Sequence, residues 1–376
     1  MKIKAVVDST KWYASSTYLL FGINFFTQIL LLRILSPENF GEYALILVVT
    51  DYLLVLSALI TNKAFLVYQN EENSYGVALL VAWVLYVLLL IVSYIVAGFV
   101  FNGDDRIYGY FMFFIPIKLL SIPLSIYIAH YEKKLMYKFI GKMQLFLSFS
   151  ANIMVVFFAY LGIGTISLLL KDITIVLGGF IFMQKYKPDE KIHFNRQLVK
   201  KYLSYGMGLM NVRLFATTLL RAPVLFIIYF FGASTAGLYD RAYWLGTLTN
   251  RLISPITHKV GFSILTKLNN DKKLKLARVA ATTISILLFP IFIIFLFYYD
   301  VVAQLVFGDK WGGIDNFIQS LSVVSLAIPI WSGVIFQYYL SKKELLKVNY
   351  MQICMTILLG IGVFLSWSYD NAMIIS

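Results

Sequence analysis

The chain has 376 residues, of which 60% are hydrophobic and only 14% are charged, and its mean hydropathy is +0.78. Soluble domains carry about a quarter charged residues, so this composition excludes a soluble globular protein and indicates an integral membrane protein. The single cysteine, Cys354, excludes a disulfide within the chain and a cysteine metal cluster.

Apolar segments long enough to cross a bilayer recur along the whole chain. No small-residue cleavage site follows the first segment, so we expect a retained helix rather than a signal peptide. We predict an all-α polytopic membrane protein with about 11–12 transmembrane helices, eleven of which are placed in this sequence. Their approximate bounds are 13–32, 43–61, 77–101, 108–129, 143–161, 165–184, 206–231, 237–265, 277–299, 317–340 and 345–367.

The predicted loops alternate between loops that are rich and loops that are poor in lysine and arginine. This alternation sets the orientation, because these residues accumulate on the cytoplasmic side of a membrane. With a cytoplasmic N-terminus, about 22 of the 32 basic residues fall in cytoplasmic segments and about three in outside loops. The formal net charge of +13 is therefore mostly a topology signal, and we expect no nucleic-acid partner.

A short internal repeat suggests two related halves. Gly41-Glu-Tyr43 returns as Gly237-Leu-Tyr239, 196 residues later, and both segments open a helix after a short turn. Transporters are commonly built from such repeats, with the substrate site where the repeats meet. We therefore predict two pseudo-symmetric bundles around a central cavity, with a six-helix bundle over 1–184, a basic cytoplasmic linker over 185–204 and a bundle of about five helices over 205–376. Symmetry requires one more helix, which we expect to be missing or to lie beyond the end of this chain.

Several basic residues fall inside the predicted spans, where arginine costs several kcal/mol and normally faces a bundle interior or a water-filled path. At about 100° per residue, Arg213 and Arg221 lie within a sector of about 80° on one helix. Arg251 and His258, seven residues apart, nearly eclipse on the next helix. Two neighbouring helices would thus present a cationic wall. The basic residues in predicted spans are Lys118, Lys171, Arg213, Arg221, Arg241, Arg251 and Lys259.

These positions give the candidate site residues. Arg213, Arg221 and Arg251 are the main candidates to bind an anionic substrate, because a guanidinium group holds phosphate oxygens in bidentate fashion. Lys118 and Arg241 are further candidates for substrate binding, although Arg241 follows Asp240 and a local ion pair is the alternative.

Acidic residues are few inside the predicted spans. Asp51 and Asp172 are candidates for binding a coupling ion, H+ or Na+, and pairing with Lys118 or Lys171 is the alternative role. The sequence has no zinc-ligand spacing, nucleotide-binding glycine loop or nucleophile triad. We therefore expect no metal, no cofactor and no catalytic residues.

Three segments resemble bacterial polysaccharide exporters of the oligosaccharide flippase (Wzx) type. Leu32–Ala44, with the sequence LRILSPENFGEYA, looks like the first outside loop of that family. Gly232–Ala242, GASTAGLYDRA, resembles its second-half signature, and Phe307–Trp311, FGDKW, is similar to its loop after the ninth helix.

The resemblance implies the fold of the multidrug/oligosaccharidyl-lipid/polysaccharide exporter superfamily. It also implies flipping of an undecaprenyl-diphosphate-linked oligosaccharide across the bacterial inner membrane, for O-antigen, capsule or exopolysaccharide synthesis. The expected partners are this lipid-linked substrate, membrane lipids and other polysaccharide assembly proteins.

Two other functions stay open at this point. A polymerase, ligase or lipid-sugar glycosyltransferase of the same pathway would place its chemistry on a long outside loop, whereas the longest predicted loops here are inside or short. A drug or cation exporter of the same fold should prefer acidic cavity residues, whereas basic residues predominate in these spans.

Overall fold

The computed structural model of the chain describes residues 3–59, 62–68, 71, 73–134, 136–186, 194–258, 265, 268–342, 344, 346–348, 350–355 and 357. No strand occurs among these residues, which confirms the all-α class. The α-helices are α1 (Ile3–Ile34), α2 (Pro37–Val55), α3 (Asn62–Val67), α4 (Ser74–Val100), α5 (Asp105–Leu119), α6 (Ser121–Lys133), α7 (Tyr137–Tyr160), α8 (Thr165–Lys185), α9 (Arg196–Gly246), α10 (Leu248–Ile256), α11 (Asn270–Phe297), α12 (Tyr299–Val306), α13 (Ile314–Ser320), α14 (Val324–Ile330) and α15 (Phe336–Ser341).

Eight helical stretches in the described part of the chain are long and apolar enough to cross a membrane, which confirms a multi-pass membrane protein. The stretch Arg196–Ser254 contains the seventh predicted helix and the eighth as far as Ser254, and residues 259–264 of the eighth lie outside the described residues. The helix predicted over 43–61 is present as α2, and the helix predicted over 345–367 lies mostly outside the described residues. The total of eleven helices therefore stays a prediction.

The turn between the seventh and eighth predicted helices is a single glycine. Gly232 has φ 82° and ψ 173°, a backbone conformation that essentially only glycine adopts. This residue divides α9 into helical parts over 196–231 and 233–246. The break after Phe231 is where the sequence predicted it.

The chain divides into two compact units. Unit 1 is Met1–Ile34 with Leu45–Thr217, and unit 2 is Leu35–Ala44 with Thr218–Ser376. The division into bundles over 1–184 and 205–376 with a linker over 185–204, like the central cavity, stays a prediction.

Unit 1 is a helical bundle in which α7 packs on α1 and α8, and α4 packs on α5 and α6. Small residues allow α8 to approach α6 and α7 closely, as is common inside membranes. A methyl group added at Gly178 would lie 2.8 Å from Leu147 of α7, and one at Gly179 would lie 3.2 Å from Leu124 of α6.

Unit 2 centres on α11, which packs on α14 around the buried side chains of Ile284, Leu288 and Val334. The single helix predicted over 317–340 is divided here into α13, α14, a π-helical segment Trp331–Ile335 and α15. Pro329 lies just before the π-helical segment, and proline removes the backbone donor that a regular helix needs.

Candidate functional site

Three of the predicted arginines gather in unit 2 around one aspartate. Arg221 Nη1 lies 3.9 Å from Asp240 Oδ1, and Arg241 Nε donates a hydrogen bond of 2.9 Å to Asp240 Oδ2. Arg251 of α10 lies within electrostatic range of Asp240 and Arg241. We call these four residues, with Tyr243 beside them, the arginine cluster.

The arginine cluster brings three guanidinium groups and one carboxylate together in an apolar protein. The side chains of Arg221 and Asp240 are 15% and 12% exposed, so this pair is largely withdrawn from solvent, whereas Arg251 is exposed. A concentration of positive charge within membrane helices requires a compensating anion or a polar path to water.

Arg241 differs from the other two arginines because it is buried in a packing contact. Its guanidinium carbon lies 4.6 Å from the centroid of the Phe40 ring, which itself lies 5.5 Å from the ring centroid of Trp311. The ring centroids of Phe307 and Trp311 are 5.4 Å apart, and all three aromatic side chains are buried. This contact occupies the guanidinium face of Arg241, so it favours a positioning role for that residue.

Two glycines bring the backbones around this contact close together within unit 2. A side chain on Gly41 would overlap the carbonyl oxygen of Ala233, and one on Gly237 would overlap the carbonyl oxygen of Pro37. Gly41 and Gly237 are the two glycines of the internal repeat. The sequence showed the repeat but gave no sign that its two copies pack on each other.

The three segments that carry the sequence resemblance therefore meet in one place. Phe40 belongs to the first segment, Arg241 to the second, and Phe307 and Trp311 to the third. We call Phe40, Arg241, Phe307 and Trp311 the signature cluster.

Arg213 and Arg221 were predicted to share a helix face, and both lie in the helical part of α9 over 196–231. Arg213 is exposed, and its Nη1 donates to the hydroxyl of Ser57 at 3.4 Å. The candidate arginines near Asp240 are Arg221, Arg241 and Arg251.

The lysine candidate lies in unit 1, where it has an acidic partner. Lys118 Nζ is 3.4 Å from Asp172 Oδ2, with side chains 18% and 22% exposed, and also lies over the ring of Phe114. Asp51 is half-buried in α2. The pairing thus joins a substrate-binding candidate to a coupling candidate, a contact that the sequence alone did not identify.

A further polar network lies beside this pair. The Oδ1 atom of Asn24 accepts from Lys171 Nζ at 3.2 Å and from Asn152 Nδ2 at 3.1 Å. Asn152 is 3% exposed, and its own Oδ1 has no hydrogen-bond partner among the described residues. We call Lys118, Asp172, Lys171, Asn24 and Asn152 the lysine network. Asn152 was not among the candidates, because they were chosen from the charged residues of the predicted spans. An amide side chain in an apolar helix is the sequence feature that could have identified it.

No group of histidine, cysteine and acidic side chains suited to a metal ion occurs among the residues that were placed. Lys259, the remaining basic residue in a predicted span, lies outside the described residues.

The sequence profile of the polysaccharide biosynthesis protein family matches residues 30–315. The chain belongs to this family. The matched range contains the arginine cluster, the signature cluster and every residue of the lysine network except Asn24.

Several curated proteins resemble this polysaccharide biosynthesis protein. Succinoglycan biosynthesis transport protein ExoT of Rhizobium meliloti is 24% identical over 82% of this chain and 64% of its own length. Lipopolysaccharide biosynthesis protein WzxC of Escherichia coli is 24% identical over 85% of this chain and 67% of its own length. Teichuronic acid biosynthesis protein TuaB of Bacillus subtilis is 24% identical over 67% and 53%, so the chain is shorter than these relatives.

A solved structure supports the fold. The inward-facing conformation of a multidrug resistance MATE family transporter of the MOP superfamily matches with a TM-score of 0.62, over 91% of this chain and 85% of that chain. Sequence identity is 13%, so the likeness concerns the fold alone. It agrees with the predicted all-α polytopic fold.

Proposed function

We propose that this protein flips an undecaprenyl-diphosphate-linked oligosaccharide repeat unit across the bacterial inner membrane for the synthesis of a surface polysaccharide. The observation that carries the proposal is the arginine cluster, with three guanidinium groups around Asp240, inside a membrane protein of the polysaccharide biosynthesis family. The relatives whose names refer to polysaccharide transport add support.

A diphosphate-linked lipid presents a specific physical problem to its transporter. Its charged group must leave water to cross a slab of low dielectric constant, and fixed guanidinium groups offset that cost with strong, bidentate hydrogen bonds. Arg221 and Arg251 are the proposed ligands of the diphosphate. Arg241 contacts Asp240 and the ring of Phe40, and its role is to hold the arginine cluster in place.

The remaining candidates keep secondary parts in the proposal. Arg213 and Lys118 are further candidate contacts for the substrate. Asp172, paired with Lys118, and Asp51 are the candidate sites for a coupling ion, H+ or Na+. The three guanidinium groups of the arginine cluster disfavour a cationic drug as the transported molecule, because like charges repel.

The test of function is complementation of a strain that lacks the gene. Surface polysaccharide and lipid-linked repeat units are measured in strains that make the wild type, the Arg221→Ala/Arg251→Ala double variant, or Arg196→Ala, which changes an exposed arginine at the start of α9. We expect the double variant to lose polysaccharide and accumulate lipid-linked units at a normal amount of membrane protein. Arg196→Ala should behave as the wild type.

Full polysaccharide production by the double variant at normal abundance would reject the arginine cluster as the substrate site. Wild-type protein that fails to restore any polysaccharide, although present in the membrane, would reject the flippase function itself.

The proposed orientation places the N-terminus and the segment 185–201 in the cytoplasm. After Cys354, which is exposed, is replaced by serine, single cysteines are introduced at the exposed residues Ser234 and Asn195. An impermeant thiol reagent added to intact spheroplasts should label the Ser234→Cys variant and spare Asn195→Cys. The reverse pattern would invert the orientation.

A further inference from the structure

A second polar cluster of unit 2 lies where α14 passes into α15. Residues Trp331–Ile335 form a π-helical segment, a form of helix that is rare and frequently marks functional sites. The carbonyl oxygen of Ser332 accepts from Gln337 Nε2 at 3.2 Å and lies 3.2 Å from Nε2 of His258. The Ser332 hydroxyl donates to Asn250 Oδ1 at 2.7 Å. We call Asn250, His258, Trp331, Ser332 and Gln337 the π-segment cluster.

Most side chains of this cluster can both donate and accept hydrogen bonds. A carbonyl oxygen only accepts, so His258 Nε2 carries the hydrogen and donates to Ser332. The side chains of asparagine, glutamine and serine can both donate and accept. This mixed set suits hydroxyl groups, whereas a diphosphate needs only donors.

An aromatic residue, Trp331, directly precedes Ser332 in the π-helical segment. Trp331 is half-buried, and an indole presents a broad apolar face together with one N–H donor. A sugar ring likewise has apolar faces edged by hydroxyl groups. A cluster of amides, a hydroxyl, an imidazole and an indole therefore matches a carbohydrate better than it matches an ion or an acyl chain.

The place of the cluster along α10 connects it to the arginine cluster. Asn250 is the immediate neighbour of Arg251, and His258 follows Arg251 by seven residues, two turns further along the chain. At 1.5 Å per residue, this separation is about 10 Å, and His258 lies just beyond the end of α10, where the chain becomes π-helical. A ligand whose diphosphate is bound by Arg251 would extend its adjoining sugars toward His258.

We propose that the π-segment cluster binds the sugar residues next to the diphosphate and selects among repeat units by their hydroxyl groups. This inference rests on the proposed flippase function. The two clusters of unit 2 then have different roles. The arginine cluster binds the diphosphate common to all such lipids, and the π-segment cluster distinguishes their sugars.

The experiment compares two probes on the purified full chain. One probe is undecaprenyl diphosphate, and the other is the same lipid carrying the oligosaccharide repeat unit extracted from the strain of origin. Dissociation constants are measured for the wild type, Asn250→Ala, His258→Ala, Ser332→Ala and Arg251→Ala. The matched control is Ser285→Ala on α11, which removes a hydroxyl that donates only to its own helix, at the carbonyl oxygen of Ala281, 2.8 Å away.

We expect each variant of the π-segment cluster to weaken binding of the sugar-bearing probe about tenfold and to change binding of undecaprenyl diphosphate by less than about twofold. Arg251→Ala should weaken binding of both probes, and Ser285→Ala should weaken neither. If His258→Ala does not reach the membrane, Ser332→Ala decides, because it removes one hydroxyl and keeps the backbone carbonyl.

Equal weakening of both probes, or no weakening of either, would overturn the sugar-binding role, and Arg251→Ala would still report on the diphosphate site. A wild-type protein that binds neither probe would overturn the sugar-binding role together with the proposed function.

Discussion

The two charged regions of the molecule, the arginine cluster of unit 2 and the lysine network of unit 1, balance their charges differently. In unit 2, Arg221 and Arg241 contact the carboxylate of Asp240, and Arg251 lies within electrostatic range of it. In unit 1, Lys118 pairs with the carboxylate of Asp172, and Lys171 donates to the amide of Asn24. Several guanidinium groups gathered at one carboxylate are suited to bind an anion, whereas a lysine paired with a carboxylate on another helix is suited to hold helices together.

The difference in side-chain type points the same way. A guanidinium group is planar, always charged and less strongly hydrated than an ammonium group, and it binds phosphate through two parallel hydrogen bonds. A lysine is a compact charge whose pKa shifts readily when it is buried, which suits proton movement better than permanent anion binding. Substitutions in the two regions should therefore fail in different ways.

The largest expected effect comes from charge reversal in the exposed part of the arginine cluster. Arg251→Glu should abolish export, because the new carboxylate repels the diphosphate that Arg251 is proposed to bind. Arg251→Lys should retain partial export, because the charge stays and the bidentate geometry is lost. Surface polysaccharide per unit of membrane protein is the measurement, and equal export by the two variants would contradict the diphosphate role.

A smaller effect, on stability and not on export as such, is expected in the lysine network. Lys118→Ala leaves Asp172 without its ion-pair partner in a mostly buried position and should cost about 2 kcal/mol. The amount of protein in the membrane should fall. The exchanged pair Lys118→Asp with Asp172→Lys should recover that amount, and failure of the exchange to recover it would show that the pair has more than a structural role.

Arg241 gives a way to sharpen the comparison inside the arginine cluster. Arg241→Ala removes the contact with the buried ring of Phe40 and should cost about 1–2 kcal/mol. Thermal unfolding in detergent should begin at a lower temperature, while export per folded molecule stays near normal. Lost export at unchanged thermal stability would instead make Arg241 a ligand of the substrate.

The smallest effect is expected at Asn152. The Asn152→Ala variant loses one hydrogen bond to Asn24 and also removes a buried oxygen that has no partner, so the two changes partly cancel and the net cost is about 1 kcal/mol or less. The midpoint of thermal unfolding measures this cost. A stability cost several times larger would indicate that a water molecule or an ion binds to Oδ1 of Asn152, which accepts no hydrogen bond from the described residues.

The sequence predicted the fold class well, because hydropathy and the loop lysines depend only on the membrane. The turn at Gly232 was also predictable, since a glycine between two long apolar segments is a strong turn signal. The division of the helix over 317–340 was not predicted. Its π-helical segment depends on contacts with His258, and Pro329 alone does not specify it.

The candidate site was predicted only as a list of side chains. Helical periodicity placed Arg213 near Arg221, but it could not show that Arg213 contacts Ser57 or that Arg221 lies beside Asp240. The sequence suggested Asp51 as a partner of Lys118 and Asp172 as a partner of Lys171, and it could not show the pair of Lys118 with Asp172, because that pair depends on how α5 packs on α8. Such long-range pairings arise from tertiary packing, which local patterns do not contain.

The central claim is that Arg221 and Arg251 bind the diphosphate group of the transported lipid. The most direct test measures the binding of undecaprenyl diphosphate to the purified wild type, to the Arg221→Ala/Arg251→Ala double variant and to the Arg196→Ala control. We expect the double variant to bind about a hundredfold more weakly and the control to bind normally. Equal affinity of the folded double variant and the wild type would contradict the claim.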